Sequence, residues 1–517
     1  MLIHHYVEYY ARNYPDVSCI TLNERTLSYV EFNKNANQLA HALQASGVAK
    51  GDRVGILGRN SIEHAMLVIA AAKIGAVMVS LNWRLAIDEL DYILQDARAK
   101  VLIAIDEILA DTTAALSDRL GSSMLIFGPG EDDSVWEDWL APHPQTNPEC
   151  SVVPEDICLQ LYTSGTTGRP KGVMASHFNV LSQFQMNAAA LAYRSSYGEV
   201  ELVTAPLFHI GGIGSVVIPL CNACHILLHQ EFNPQAIISD LHEYGVKGIF
   251  MVPAMIAAVL SVPECRSKPY TELKQIYYGA SPISESLLKE AMEVFGAAFV
   301  QMYGMTETTG TIATLSAEDH KQAVAGKPEL LRSCGRPSVG AHMKIIDEDG
   351  NELPNGDVGE FCIKADCNMV GYYNLPDKTA ETLIDGWIHT GDAGYRDDEG
   401  YFYIKDRMKD MVVTGGENVY PAEVENVLDG HENVREVAVI GVPDEKYGEA
   451  LLAVVATVDG NELPVDEMIE YCRGKIAGYK IPRQNKLIDL LPRNPSGKVL
   501  KTVLREPYWA NTNRNVG

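Results

Sequence analysis

Twice between residues 29 and 81 the chain runs through one unit: apolar side chains at helical spacing, a glycine stop, then a short apolar strand. In Tyr29-Val-Glu-Phe-Asn-Lys-Asn-Ala-Asn-Gln-Leu-Ala-His-Ala-Leu43 the apolar positions fall on one helical face. Gly47 ends that helix, and Gly51-Asp52 turns the chain into Arg53-Val-Gly-Ile-Leu57. The apolar stretch 65–81 reads as a buried helix followed by the buried strand Ala76-Val-Met-Val-Ser80. Lys73 and Gly75 interrupt it, and it is too short to span a membrane. Strands joined through helices must cross over, so such units build parallel sheets with helices on their faces. The rhythm continues to about 330, with strands expected at 157–162, 202–205, 225–228, 248–252, 275–278 and 299–302.

From about 334 to 405 the pattern changes to short strands with Asp349-Gly350 and Glu399-Gly400 turns, which reads as a small β-rich, barrel-like subdomain. After Asp406-Arg407 a compact piece follows, with strands at 437–442 and 451–458 and helices at 421–428 and 464–475, each opened by proline. The expected fold class is α/β. A large N-terminal domain of mostly parallel sheets with covering helices takes 1–406, and a small α+β C-terminal domain takes 407–517.

Charge excludes some partners. The chain carries 68 acidic against 42 basic residues among 517, a formal −26. Nucleic acid needs a basic footprint, and anionic lipid repels such a surface. Cys221-Asn-Ala-Cys224-His225 has the spacing of a haem attachment site. That chemistry needs export, and Met1-Leu2-Ile3-His4-His5-Tyr6 has no basic run followed by an apolar one. The ten cysteines are therefore expected to be reduced structural thiols and the compartment the cytoplasm.

The densest chemistry lies in Tyr162-Thr-Ser-Gly-Thr-Thr-Gly-Arg-Pro-Lys-Gly172. Glycines let the backbone turn N–H groups toward a ligand. Thr163, Ser164, Thr166 and Thr167 add hydroxyls, Gly165 and Gly168 add room, and Lys171 adds a charge, a set suited to polyphosphate. The spacing differs from the common Gly-x4-Gly-Lys-Ser/Thr loop, because Arg169-Pro170 intervene before the lysine.

This run resembles the phosphate loop of the AMP-forming adenylating enzymes, the superfamily of acyl- and aryl-CoA synthetases, luciferases and peptide-synthetase adenylation domains. Gly279-Ala-Ser-Pro282, Tyr303-Gly-Met-Thr-Glu307, Trp387-Ile-His-Thr-Gly-Asp392, Asp406-Arg407, Gly415-Gly-Glu-Asn-Val-Tyr-Pro421 and Asn494-Pro-Ser-Gly-Lys498 match the same family in order. The resemblance implies ATP, Mg²⁺ and coenzyme A as ligands. Glu307, with Thr163, would hold the metal. Gly279, Ala280 and Ser281 would lie against adenine beside Met302, Tyr303, Gly304 and Thr306. Asp392 and Arg407 would reach the ribose.

The resemblance also makes Lys498 the catalytic cation of the first step and Lys409 the hinge of a mobile C-terminal domain. Gly415, Gly416 and Glu417 would be brought in for the thioester step. His209, in Pro206-Leu-Phe-His-Ile-Gly-Gly212, would stand beside the substrate carboxylate. Phe208, Gly212, Met251, Val252, Tyr278 and Thr309 are expected acyl-pocket walls.

The segments around Trp387 and Lys498 are similar to those of fatty acyl-CoA synthetases, which makes a fatty acid the first expectation. Aryl and steroid acids remain alternatives. Only about ten residues follow Arg505-Glu506-Pro507, so no fused carrier domain is expected. That favours CoA over a separate carrier protein as acceptor. No nucleic-acid partner and no integral membrane segment are expected, and a homodimer is left open.

Overall fold

The computed structural model describes residues 1–121, 125–127, 134–163, 169–190, 195–267, 269–281, 283–407, 410–414, 417–444, 446–493 and 499–509. Two sheets carry the N-terminal part. Seven strands run in the order Gly371–Tyr372, Lys171–Ser176, Ile157–Thr163, Val77–Leu81, Arg53–Leu57, Ala99–Ala104 and Leu125–Phe127. The last five are parallel, as the crossover units require. A nine-stranded sheet runs Arg336–Pro337, Gly310–Leu315, Ala298–Met305, Gln275–Gly279, Gly248–Met251, Val200–Val203, His225–Leu228, Ser18–Leu22 and Arg25–Ser28. Its interior pairs are parallel, and antiparallel pairs occur only toward its two edges.

One core cluster joins Ile20, Val203 and Ile226 of the larger sheet to Val54, Met78 and Leu159 of the smaller one. Helices Tyr29–Ala45, Ile62–Ile74 and Ile210–Cys221 supply the side chains of that cluster. Ser28 caps the first helix with Glu31 reaching back, and Ser61 caps the second. Gly75 ends the second at φ 68°, a left-handed stop that favours glycine. Every residue of Ile62–Ile74 except Glu63 is buried, as befits a helix apolar on all sides. Lys73 is buried with it because Glu8 Oε1 lies 2.5 Å from its Nζ and Asn147 Oδ1 3.2 Å. The charge that interrupts the apolar run thus ties helix Ile3–Asn13 to the core.

The 334–405 region differs from expectation. Strands His342–Ile346, Gly359–Lys364, Trp387–Arg396, Leu383–Ile384 and Phe402–Arg407 form a five-stranded antiparallel sheet. Among the described residues its outer edge at His342–Ile346 pairs with no further named strand, so the sheet is open. It has no need to close on itself. Met343, Ile345, Phe361, Ile363 and Phe402 pack with Met186, Tyr303 and Ile312 of the large domain. A smaller C-terminal unit combines strands Val412–Thr414, Glu417–Val419, Val434–Asp444, Gly448–Thr457 and Gln484–Leu487 with helices Pro421–Leu428, Val465–Cys472 and Lys501–Trp509. Val412, Leu428, Val439 and Met468 give it a core of its own.

Cys221 and Cys224 are buried free thiols, and the carbonyls of the two residues accept hydrogen bonds from Tyr10 and Tyr29. His225 Nε2 lies 2.7 Å from Thr21 Oγ1. Cys221 packs into the core cluster that joins the two sheets. No described helix is long and apolar enough to cross a membrane.

Buried histidines give the fold a pH signature. Burial lowers His4 to about 2, His64 to about 3 and His177 to about 4. An unfolded histidine titrates near ~6.5, so below that pH the unfolded chain binds the extra protons. The stability these groups confer is complete above ~6.5 and is lost as the pH falls. Glu201, raised by burial to about 7, acts in the opposite direction, as do Glu425 and Asp429, but burial also lowers His209, His225 and His320, so six histidines stand against three carboxylates. Thermal unfolding is expected to show Tm falling from about pH 7 to about pH 5. A Tm that stays flat or rises over that range overturns this account.

Candidate functional site

The phosphate-type run joins two antiparallel strands. Ile157–Thr163 leads in, Lys171–Ser176 leads out, and Thr163 stands in register with Lys171. Ser164, Gly165, Thr166, Thr167 and Gly168 lie outside the described residues. Lys171 Nζ sits 4.2 Å from the centre of the Tyr372 ring. The same tyrosine donates its O–H to Glu307 Oε1 at 2.8 Å. Lys171, Tyr372 and Glu307 therefore form one chain of contacts, although Glu307 comes from the other sheet.

Glu307 lies in the turn Thr306–Thr308, directly after strand Ala298–Met305. It is 7% exposed. Tyr372 occupies one oxygen, and among the described residues Oε2 takes no hydrogen bond. A carboxylate with one oxygen held and one open suits a hard cation that also keeps phosphate and water oxygens. The donors fit Mg²⁺: Glu307, with Thr163, would hold it. Bound there with ATP, the ion would neutralise charge on the phosphates.

Asp392 lies in strand Trp387–Arg396 and is buried. Tyr303 donates its O–H to Asp392 Oδ2 at 2.7 Å, and the Asp392 N–H donates to Thr390 Oγ1 at 3.0 Å. These bonds fix the carboxylate before any ligand arrives. Arg407 stands opposite Asp392 in register, at the end of strand Phe402–Arg407. Next to them Glu360 accepts from the Gly391 N–H at 2.9 Å and lies 2.9 Å from His389 Nδ1.

Gly279 ends its strand in register with Met302. A Cβ there would fall 2.1 Å from the Met302 carbonyl oxygen, so only glycine lets the two strand ends meet. Ala280 follows at φ 65°, a left-handed conformation costly for a residue with Cβ, and Ser281 comes next. Tyr303 and Gly304 lie in the strand and Thr306 opens the turn. These groups gather at the carboxyl ends of parallel strands, where open α/β sheets bind ligands.

His209 precedes helix Ile210–Cys221. Its Nε2 is buried without a partner. Burial, reinforced by Arg84, lowers its pKa to about 4, so the ring is neutral at neutral pH. Helix Ile210–Cys221 walls a narrow cleft of about 30 Å³ that opens to solvent. Leu159, Phe184, Ile213, Val217, Gln183 and Thr309 are among the residues around it.

Some expected pocket walls do not border this cleft. Met251 and Tyr278 belong to the core of the nine-stranded sheet, and Tyr278 O–H is 2.9 Å from His320 Nε2. Val252 precedes helix Pro253–Leu260. Phe208 is buried against His209, ring centres 4.6 Å apart. Gly212 serves the turn: a Cβ would fall 2.0 Å from the Pro206 carbonyl oxygen. Gly212→Ala is expected to lower stability by about 1–3 kcal/mol, measured by urea unfolding, because backbone must shift to admit the methyl.

In the C-terminal unit, Glu417 is exposed at the start of strand Glu417–Val419. Lys409, Gly415, Gly416 and Lys498 lie outside the described residues. Sequence reasoning missed Tyr372 and Gln183. Tyr372 is 65 positions from Glu307, and only the pairing of strand Gly371–Tyr372 with Lys171–Ser176 brings it in. Gln183 carried a signal, since Asn179, Gln183 and Asn187 recur every four residues and put a polar stripe on a helix that also carries Val180, Leu181 and Phe184.

A hairpin built for phosphate, a carboxylate suited to a cation and an apolar groove converge on the end of strand Ala298–Met305. The AMP-binding enzyme model matches residues 7–373 and the AMP-binding enzyme C-terminal domain model residues 423–498, and the chain belongs to this family of AMP-forming ligases. It is 39% identical to a fatty acid–[acyl-carrier-protein] ligase, ScoC, of Streptomyces coeruleorubidus, over 98% of this chain and 96% of the relative. It is 37% identical to a feruloyl-CoA synthase of an Amycolatopsis species, over 96% and 97%. A fatty acyl-CoA synthetase structure from Mycobacterium tuberculosis superposes with TM-score 0.78 at 34% identity, covering 98% of each chain. The protein is a ligase that activates an acid through its adenylate.

Proposed function

We propose that this chain converts a hydrophobic carboxylic acid of fatty-acid type to acyl-AMP and then to acyl-CoA. The observation that carries the reading is the apolar groove under helix Ile210–Cys221, which reaches Thr309, two residues from Glu307. The substrate carboxylate attacks the α-phosphorus of ATP and pyrophosphate leaves. Lys171 and the 164–168 run hold the β- and γ-phosphates, Asp392 and Arg407 the ribose, and Gly279 to Ser281 the adenine. His209, neutral, lines the carboxylate end. The thiol of coenzyme A then attacks the acyl carbon, and AMP leaves. Lys498 serves the first step. The unit 407–517, turning at Lys409, serves the second with Gly415, Gly416 and Glu417.

A second acceptor has specific support, because the relative at 39% identity is by name a carrier-protein ligase. Pyrophosphate release over a panel of fatty and aryl acids, followed by thioester formation with CoA or with purified acyl-carrier protein, separates the readings. Thioester with CoA is the expected result. Thioester only on the carrier protein makes the acceptor wrong and leaves acid activation standing.

A further inference from the structure

The groove is apolar except at two places, and both carry polar atoms without partners. Gln183 is 6% exposed; its Nε2 donates to the Thr311 carbonyl at 2.9 Å, while its Oε1 is buried and unbonded. Thr309 is 4% exposed, and its Oγ1 is buried and unbonded. Thr309 also holds φ at 53°, a strained conformation for a β-branched residue. Both side chains line the same groove. Buried polar groups are normally paired, and leaving one unpaired costs free energy that a purely aliphatic ligand would not return. Flipping the Gln183 amide would orphan its other end, so the demand for a partner does not depend on that assignment.

We infer that the acid this groove selects carries a hydrogen-bond donor, a hydroxyl or an amine, close to its carboxyl group, received by Gln183 Oε1 and Thr309 Oγ1. The position follows from the chain. Thr309 is two residues past Glu307, so their Cα atoms are at most ~7.6 Å apart. The polar patch therefore lies at the reacting end of the groove, and the aliphatic walls are left for the rest of the acid. The inference rests on the adenylation reading and narrows its substrate class. When no acid is bound, water can satisfy both atoms, and the donor on the substrate replaces it.

The test compares octanoate, 3-hydroxyoctanoate, 3-aminooctanoate and 3-methoxyoctanoate by pyrophosphate release. The methoxy acid has the bulk without the donor. The hydroxy or amino acid is expected to exceed both octanoate and the methoxy acid roughly ten- to hundredfold in kcat/KM. The arm that wins identifies the donor. Gln183→Met and Thr309→Val, each checked by circular dichroism, should each shrink that ratio toward one. Equal kcat/KM for all four acids overturns the inference and leaves adenylation intact. A folded Gln183→Met enzyme with an unchanged ratio also overturns it. Release with none of the four in the wild type, while other acids in the wider panel are adenylated, overturns the inference alone; silence across the whole panel overturns the adenylation reading as well.

Discussion

Glu307→Gln is expected to lower the rate of adenylate formation by about 10²–10³-fold, the scale of losing several kcal/mol of charge stabilisation. The substitution is nearly isosteric. Its carbonyl oxygen can still accept the Tyr372 hydroxyl bond that Glu307 Oε1 now takes at 2.8 Å, so packing in this buried turn is kept. What disappears is the negative charge and with it the open oxygen for a hard cation. The expected signature is a raised Mg²⁺ requirement and a depressed rate with an unchanged Tm. Tyr372→Phe supplies the contrast: it removes one hydrogen bond to a charged group and leaves the carboxylate, so a loss of roughly tenfold is expected. Pyrophosphate release titrated with Mg²⁺ measures both. An unchanged Mg²⁺ dependence in Glu307→Gln removes this residue from the metal site.

The parallel sheets were legible because their signal is local and repeated. Gly75 interrupts the apolar run in the sequence and ends a helix in the fold. The hairpin that flanks residues 164–168 was legible for a related reason: the strand-like run Ile157–Tyr162 leads directly into the glycines, hydroxyls and lysine. Contacts between sheets were not. Tyr372 and Glu307 meet only because the edge of one sheet abuts a strand end of the other, and no spacing in the chain records that. The barrel expectation failed on the same kind of fact. Alternating short strands predict an antiparallel sheet, but closure depends on what covers the inner face, and here Tyr303 and Ile312 of the large domain cover it. Met251 and Tyr278 pack in the core of the nine-stranded sheet, and an apolar strand residue near a motif looks alike whether it faces a core or a groove. Gly212 was expected in the acyl-pocket wall, and its lack of a side chain also serves the close approach of the Pro206 carbonyl.

Lys498→Ala is expected to slow adenylation by about 10²–10³-fold, the cost of removing one preorganised donor from a charge-developing transition state. The second half-reaction, from supplied acyl-AMP and CoA, should continue at near wild-type rate. A nearby lysine provides the control that separates catalysis from folding. Lys501, three positions on, opens helix Lys501–Trp509 and is 14% exposed; its Nζ lies 2.8 Å from Glu425 Oε1 and 4.0 Å from Asp406 Oδ2. The same helix is pinned by Arg505 to Asp410 at 2.8 Å. Lys501→Ala leaves two carboxylates without their shared cation, a loss of about 3 kcal/mol, so it should lower Tm and depress both half-reactions together. Lys498→Ala should leave Tm unchanged and depress only the first. Two half-reaction rates and one melting curve per variant decide the matter. If folded Lys498→Ala slows both steps equally, the lysine is not specific to the first step, and a C-terminal unit that serves the two reactions in turn is the wrong description of this chain.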